Sequence, residues 1–383
     1  MRWSVLLLGT VGCGIFGGED LDPEGPAWQI GAVGTPPVEA ALVYEPRANL
    51  EVPDLAFDPM FDNRLWVMMR PVADVFNDDL LCEQSNSSGC DAMPSRNAII
   101  TNLGQDDERV RIIEDSNAWH FMRRTVAMAM GEGTGFWASC GDFWTGNTTD
   151  VPIQFIGPSL WSSSLQEHGV TPPGLNGSHY DMLHGTPWCT GIAWEVDNVY
   201  WNFNGELGAL DRVNFNDDHG PGEADHSDGE YERYVEGELQ REPAVPSHME
   251  IEGDWLYVAD TGNRRVVRLD ITTGRSRDTI QTADPVPVEI MRNATLEEFV
   301  APSAGLDMPS GLTVQDGILY VSDFEAATIV AFDTADGTEL GRVDLSATAD
   351  TVTGLEISPD DGMLYFTDMA GGAVYRLEQI IEE

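Results

Sequence analysis

The chain has 383 residues, of which 42% are hydrophobic and 9% aromatic, enough for a substantial core, and its mean hydropathy of -0.22 argues against a polytopic membrane protein. It carries 65 acidic residues against 20 basic ones, for a formal net charge of -45, and every basic residue is Arg. Such a balance excludes nucleic acid as an expected partner; it fits a surface kept soluble by carboxylates, which also draws in divalent cations.

In chain order, Met1-Arg2-Trp3-Ser4-Val5-Leu6-Leu7-Leu8 places one positive charge before a short apolar run, the pattern of an export signal too short to span a membrane. Thr10-Val11-Gly12-Cys13 follows and resembles a bacterial lipobox, with Thr where Leu is usual. Residues 1–13 are therefore read as a signal peptide with Cys13 as candidate lipid anchor, a tie to the cell envelope, with plain secretion or a periplasmic location as the alternative. Residues 14–36, rich in Gly, Pro, Asp and Glu without an apolar period, read as a tether, and residues 37–383 as one folded domain. Four cysteines remain beyond Cys13. Cys82 and Cys90 flank a flexible loop that can close as a local disulfide, whereas Cys140 and Cys189 are either a second disulfide or two buried thiols.

From there an apolar-aromatic-apolar triplet recurs six times: Leu65-Trp66-Val67, Phe136-Trp137-Ala138, Val199-Tyr200-Trp201, Leu256-Tyr257-Val258, Leu319-Tyr320-Val321 and Leu364-Tyr365-Phe366. The clearest copies follow an alternating segment and a tight Gly or Asp turn, as in Gly311-Leu312-Thr313-Val314 before Gln315-Asp316-Gly317. Alternation, a turn and a second apolar run make a β-hairpin, and a third strand such as Arg265–Asp270 extends it to a meander. Six meanders predict an all-β, six-bladed β-propeller with loop insertions concentrated in the N-terminal half. The last unit lacks a fourth strand, which Val38–Tyr44 is expected to supply by pairing with it and closing the ring.

Leu256-Tyr257-Val258-Ala259-Asp260-Thr261-Gly262-Asn263-Arg264-Arg265-Val266 resembles the core of an NHL repeat. Gly354-Leu355-Glu356-Ile357-Ser358-Pro359-Asp360-Asp361-Gly362-Met363-Leu364-Tyr365 is similar to blades of the wider lactonase-like six-bladed group. The resemblance implies a propeller with metal held in its channel, as in lactonases and in the propeller-fold peptide-amidating lyase. In that lyase zinc-binding histidines from separate blades stand just before the small residue that opens the inner strand; here that histidine position is held by Ser247, Ser310 and Thr353, and His248 lies one place along.

Two groups of residues are candidate metal ligands. His248, at the start of an inner strand, is expected near the channel mouth, with His120 and His184 able to converge on it from earlier blades. Asp217–Gly229 is a glycine-punctuated acidic loop containing His219, Asp225, His226 and Asp228, and His179, Asp181 and His184 form a further acid and histidine group. One joined site requires the loop to fold over. Asp260 and Asn263 are read as turn chemistry. The expected function is a cell-envelope binding propeller for a small molecule or protein, monomeric, with a divalent metal (calcium or zinc). The alternative is a metal-dependent hydrolase or lyase at the channel mouth. A protein-docking patch, if present, is sought at Phe155, Leu160 and Trp161, which equally suit a core.

Overall fold

The structure is a computed structural model and describes residues 30, 38–47, 50–72, 95–143, 146–147, 153–154, 156–223, 225–281 and 286–379, the side chains of Trp119, His120, Asn147, Ile153, Gln154 and Gln379 excepted. Cys13, the signal segment, Cys82, Cys90 and Phe155 lie outside these residues. Six antiparallel sheets form the blades of a β-propeller. Blade 1 comprises Leu50–Phe57, Leu65–Pro71, Arg96–Thr101 and Arg109–Ile113; blade 2 comprises Thr125–Met130, Phe136–Gly141, Ser159–Ser162 and His179–Met182. Blade 3 runs Cys189–Val196, Val199–Asn204, Ala209–Asn214 and Glu230–Tyr234, and blade 4 runs Met249–Glu252, Trp255–Asp260, Arg265–Asp270 and Thr295–Val300. Blade 5 is built from Pro309–Gln315, Ile318–Asp323, Thr328–Asp333 and Glu339–Asp344.

Blade 6 takes three strands from the C-terminal end, Leu355–Ile357, Leu364–Asp368 and Ala373–Gln379, and its fourth from Val38–Tyr44. The register runs antiparallel from Val38 opposite Gln379 to Tyr44 opposite Val374, so the ring closes with chain segments more than 300 residues apart. Closure removes an unpaired sheet edge. Ile30, inside the segment read as a tether, is buried with Tyr320, Ile329, Leu364 and Phe366 in the core of blades 5 and 6, so that segment is anchored to the fold at this residue.

All six triplets fall in the second strand of their blade, and all six central aromatics are buried. Each packs toward a neighbouring blade: Trp66 of blade 1 lies 5.5 Å from Trp137 of blade 2, and Tyr365 of blade 6 lies 5.0 Å from Phe57 of blade 1. Burying such rings stabilises by roughly 2 to 3 kcal/mol each, which is why the aromatic recurs at this position. Leu160 and Trp161 belong to the same core, wholly buried in the third strand of blade 2, and form no surface patch.

Between neighbouring inner strands the backbones touch at the point where each strand begins. Ser247 N donates to Thr190 O, His248 N to Ser310 O, and Gly354 N to Pro53 O. A Cβ at Gly191 would strike Ser247 O, and one at Gly311 would strike Thr353 O. Hence the small residue plus Gly that opens the strands of blades 3, 5 and 6, where a Cβ would meet the neighbouring backbone or side chain; blade 4 carries His248 at the same place.

Two departures from the regular meander matter. Cys140 in blade 2 and Cys189 in blade 3 form a disulfide across the blade boundary. Blade 4 also sends out a hairpin, Arg275–Ile280 and Val288–Arg292, between its third and fourth strands; Val288–Arg292 pairs parallel with Glu230–Tyr234 and extends blade 3 to six strands. No helix among the described residues is long and apolar enough to cross a membrane.

Candidate metal and ligand sites

The acidic loop does fold over. It joins the third and fourth strands of blade 3 and lies against the outer strand of blade 2, with Gly222 N donating to His179 O at 2.7 Å and Asn176 N donating to Gly222 O at 3.2 Å. Gly222 has φ of 80°, and a Cβ there would press on Gly177 O and Leu175, so the contact requires glycine.

This docking sets His219, His226 and Asp228 around Asp181, whose side chain projects from the buried strand His179–Met182. Asp181 Oδ1 accepts Met182 N at 2.6 Å and meets His226 Nδ1 at 2.5 Å. Asp181 Oδ2 is buried and accepts no hydrogen bond; His219 Nε2 stands 3.9 Å from it. His219 Nε2 in turn lies 2.7 Å from Asp228 Oδ1. One donor atom each from Asp181, His219 and Asp228 fit within 4.8 Å of one another, and among the described residues this is the one group of three or more metal-type donors so gathered.

The electrostatics follow from the packing. Burial pushes the Asp181 carboxyl up, opposed by the hydrogen bond and charge of His226. For His219, burial disfavours the charged ring, but the hydrogen bond to Asp228 and the charges of Asp181, Asp228 and Asp225 outweigh it, so its pKa is raised. The same carboxylates that favour a charged His219 ring would favour a cation lying between the three groups. The group can hold a metal ion.

The other predicted ligands are placed differently. His179 stacks on Phe121 at 3.7 Å between ring centroids, and the His179 and His184 rings lie 6.1 and 6.3 Å from that of His226, which makes them flanking rather than converging groups. Asp225 is exposed and accepts from Ser227 N and Oγ, a local turn. His120 sits in the helical turn Ala118–Phe121, and its side chain lies outside the described residues. Asp260 does more than the turn chemistry expected of it: buried at the end of the strand Trp255–Asp260, it accepts from Asn263 Nδ2 in the following turn and also from Gln240 N and Arg265 Nε.

His248 requires a correction. The starts of the inner strands bond to one another, so this end of the channel is its floor rather than its mouth. His248 is 5% exposed and reaches across the channel to blade 2, where Nε2 donates to Val126 O at 3.0 Å, while Nδ1 lies 3.6 Å from Asp54 Oδ1 of blade 1. It does not join Asp181, His219 and Asp228.

Above that floor is a cavity of about 980 Å³, opening at the hairpin turns that follow the inner strands. Sequence reasoning missed its two glutamates. Glu250 and Glu356 occupy the same repeat position in blades 4 and 6, each opposite the central Tyr of its triplet, and both line the cavity. The signal was available, since polar residues alternating along an inner strand have the channel as their only outlet.

No family model and no curated protein matches the chain. Among solved structures it is similar to an auxiliary nutrient binding protein from Bacteroides ovatus, at 11% identity and a TM-score of 0.51, covering 90% of this chain and 76% of that one. It is also similar to a protein of unknown function from Bacteroides thetaiotaomicron, at 14% identity and a TM-score of 0.47, covering 91% and 74%. A third similarity is to the WD40 repeats of RRP9, at 9% identity and a TM-score of 0.49, covering 92% and 99%. At these identities the likeness is one of fold.

Proposed function

We propose that the protein is an exported, lipid-tethered binding propeller that holds one divalent transition metal, best matched by zinc, at the rim between blades 2 and 3. One observation carries this reading: Asp181 Oδ2 is buried without a hydrogen bond, facing His219 and Asp228. A bare carboxylate oxygen in that position costs several kcal/mol unless a cation meets it. A histidine nitrogen among the donors favours zinc over calcium, which takes oxygen ligands. Three protein ligands leave one tetrahedral position for water or for a ligand group.

A binding role also agrees with the architecture, in which loops are displayed on a rigid ring. The same open position would serve a hydrolase, the second reading, and Asp181 and His226 would then hold and orient the metal-bound water's neighbours. Export and anchoring at Cys13 rest on the sequence pattern and are tested by the mass of the mature N-terminus.

The experiment is metal analysis of the full chain after zinc loading and exhaustive dialysis. The expected result is one equivalent per chain in the wild type and less than a tenth in Asp181→Asn and His219→Ala, with His248→Ala unchanged. Absence of retained metal in the wild type, or full retention in both rim variants, would overturn the assignment.

A further inference from the structure

The central cavity carries a chemistry separate from the rim. Its floor is self-satisfied: Asp54 accepts Leu55 N at 2.9 Å and Met128 N at 2.8 Å and faces His248, whose other nitrogen is committed to Val126. One level up, the Glu250 and Glu356 carboxylates face the space with no basic side chain and no hydrogen-bond donor against them. Blade 5 lies between them and presents Thr313 at the equivalent place, so the two acids approach the axis from two different sides. The walls are mixed: Phe57, Met130, Trp194, Leu312 and Ile357 give them apolar surface, and Asp58, Asp62, Glu132, Glu195 and Asp360 add further carboxylates, so the space is acidic throughout with an apolar and aromatic side. At the opening the Met60 and Phe61 side chains are about half exposed, each at 49%, although they are large and apolar.

Two features exclude a bare metal ion as the best occupant. No three donor atoms here fall within 4.8 Å of one another, as those at the rim do, and a hydrated ion gives no use to an aromatic wall and an apolar lip. A charged head on a hydrophobic body uses both. We propose that the cavity binds a small amphiphilic organic cation, a primary ammonium on an apolar or aromatic body, with the ammonium between Glu250 and Glu356 and the body running past Trp194 toward Met60 and Phe61. The volume suits such a ligand, since small-molecule pockets run roughly 300 to 1,000 Å³. An ammonium donates up to three hydrogen bonds, enough for both carboxylates, and its adjacent CH₂ groups lie against the walls.

Burial and mutual repulsion hold both glutamates above the usual carboxylate range, with Asp54 adding to the field on each and Glu132 and Glu252 to that on Glu250. The cavity in the absence of a cation is therefore electrostatically unsettled, and an ammonium relieves it.

The test is calorimetric titration of the full chain at pH 8 in about 0.15 M salt, where non-specific attraction by the acidic surface is screened beyond about 8 Å. The probes are butylamine, phenethylamine and naphthylethylamine, with phenethyl alcohol as the neutral counterpart of the second. The expected result is one site per chain, affinity rising with the size of the body, phenethyl alcohol at least about tenfold weaker than phenethylamine, and a loss of about tenfold or more in Glu250→Gln and in Glu356→Gln. Asp181→Asn, at the rim, should bind the amines as the wild type does, which keeps this outcome independent of the metal reading. Failure of all three amines to bind below millimolar concentration, equal affinity for alcohol and amine, or binding that survives the Glu250→Gln/Glu356→Gln double substitution would each overturn the proposal.

Discussion

Blades 4 to 6 and blades 1 to 3 solve the same packing problem with different materials. In the C-terminal half one Asp at the end of each second strand fastens the loop leading into its own blade: Asp260 accepts Gln240 N, Asp323 accepts Asp307 N and Met308 N, and Asp368 accepts Asp350 N and Thr351 N. In the N-terminal half long insertions replace that device. Blades 2 and 3 are joined by the Cys140–Cys189 disulfide, and the outer part of blade 3 is pinned by a buried cluster in which Arg233 Nε donates to Asp211 Oδ1 at 2.7 Å while Tyr231 and Thr186 donate to Asp211 Oδ2. His168 stands among Trp66, Trp137 and Trp161, with Nε2 3.2 Å from Asn97 Oδ1. Where the repeat is short, one side chain per blade suffices; where it is interrupted, covalent and ionic fastenings take over, and the Asp181, His219 and Asp228 group lies in that interrupted half.

The largest expected effect sharpens this contrast. Arg233→Met leaves Asp211 charged and buried without its partner, and unfolding in urea should show a loss of about 3 to 5 kcal/mol. In the Arg265–Asp260 pair of blade 4 the Arg is partly exposed, and the buried Asp260 keeps Gln240 N and Asn263 Nδ2 as donors, so Arg265→Met should cost less, roughly 1 to 2 kcal/mol. Equal losses would erase the distinction between the halves. Next in size, replacing Cys140 and Cys189 together by Ser opens a loop of 49 residues and should cost about 2 to 4 kcal/mol, read from the same unfolding curves.

Smaller and opposite in sign are the pH effects. Burial lowers the His168 pKa to about 3, so between about 6.5 and 3 the unfolded chain binds the extra proton and stability falls with falling pH; His168→Gln should flatten that limb. Glu250 and Glu356 have raised pKa values, so the folded state holds their protons from about 4.5 upward and stability is lost as pH rises through the folded values. Glu250→Gln or Glu356→Gln should therefore raise Tm by about 2 to 4 °C at pH 8 and leave it unchanged at pH 4. A lowered Tm at pH 8 would mean that the carboxylates are paired rather than repelled.

The regular half was the more readable. Six triplets marked six second strands because the aromatic at their centre has one job, filling the gap between blades, and the unpaired edge of the last blade called for Val38–Tyr44. The rim group was readable only as its parts. Asp181 and the loop of His219 and Asp228 are brought together by Gly222 docking on His179 O, a contact between blades that neither segment's pattern contains. His248 was misplaced for a related reason: strand counting fixes the end of the blade a residue occupies, but the hydrogen bonds between neighbouring inner strands decide which end is closed. The hairpin Arg275–Arg292 was hidden because its pairing partner, Glu230–Tyr234, belongs to another blade.

The claim that the interrupted half gathers the metal chemistry is tested most directly by X-ray diffraction from zinc-soaked crystals, with data on both sides of the zinc absorption edge. The account predicts one anomalous peak per chain, about 2 Å from Asp181 Oδ2, His219 Nε2 and an Asp228 oxygen. A peak instead at His248 in the channel floor, or none at the rim, would contradict it.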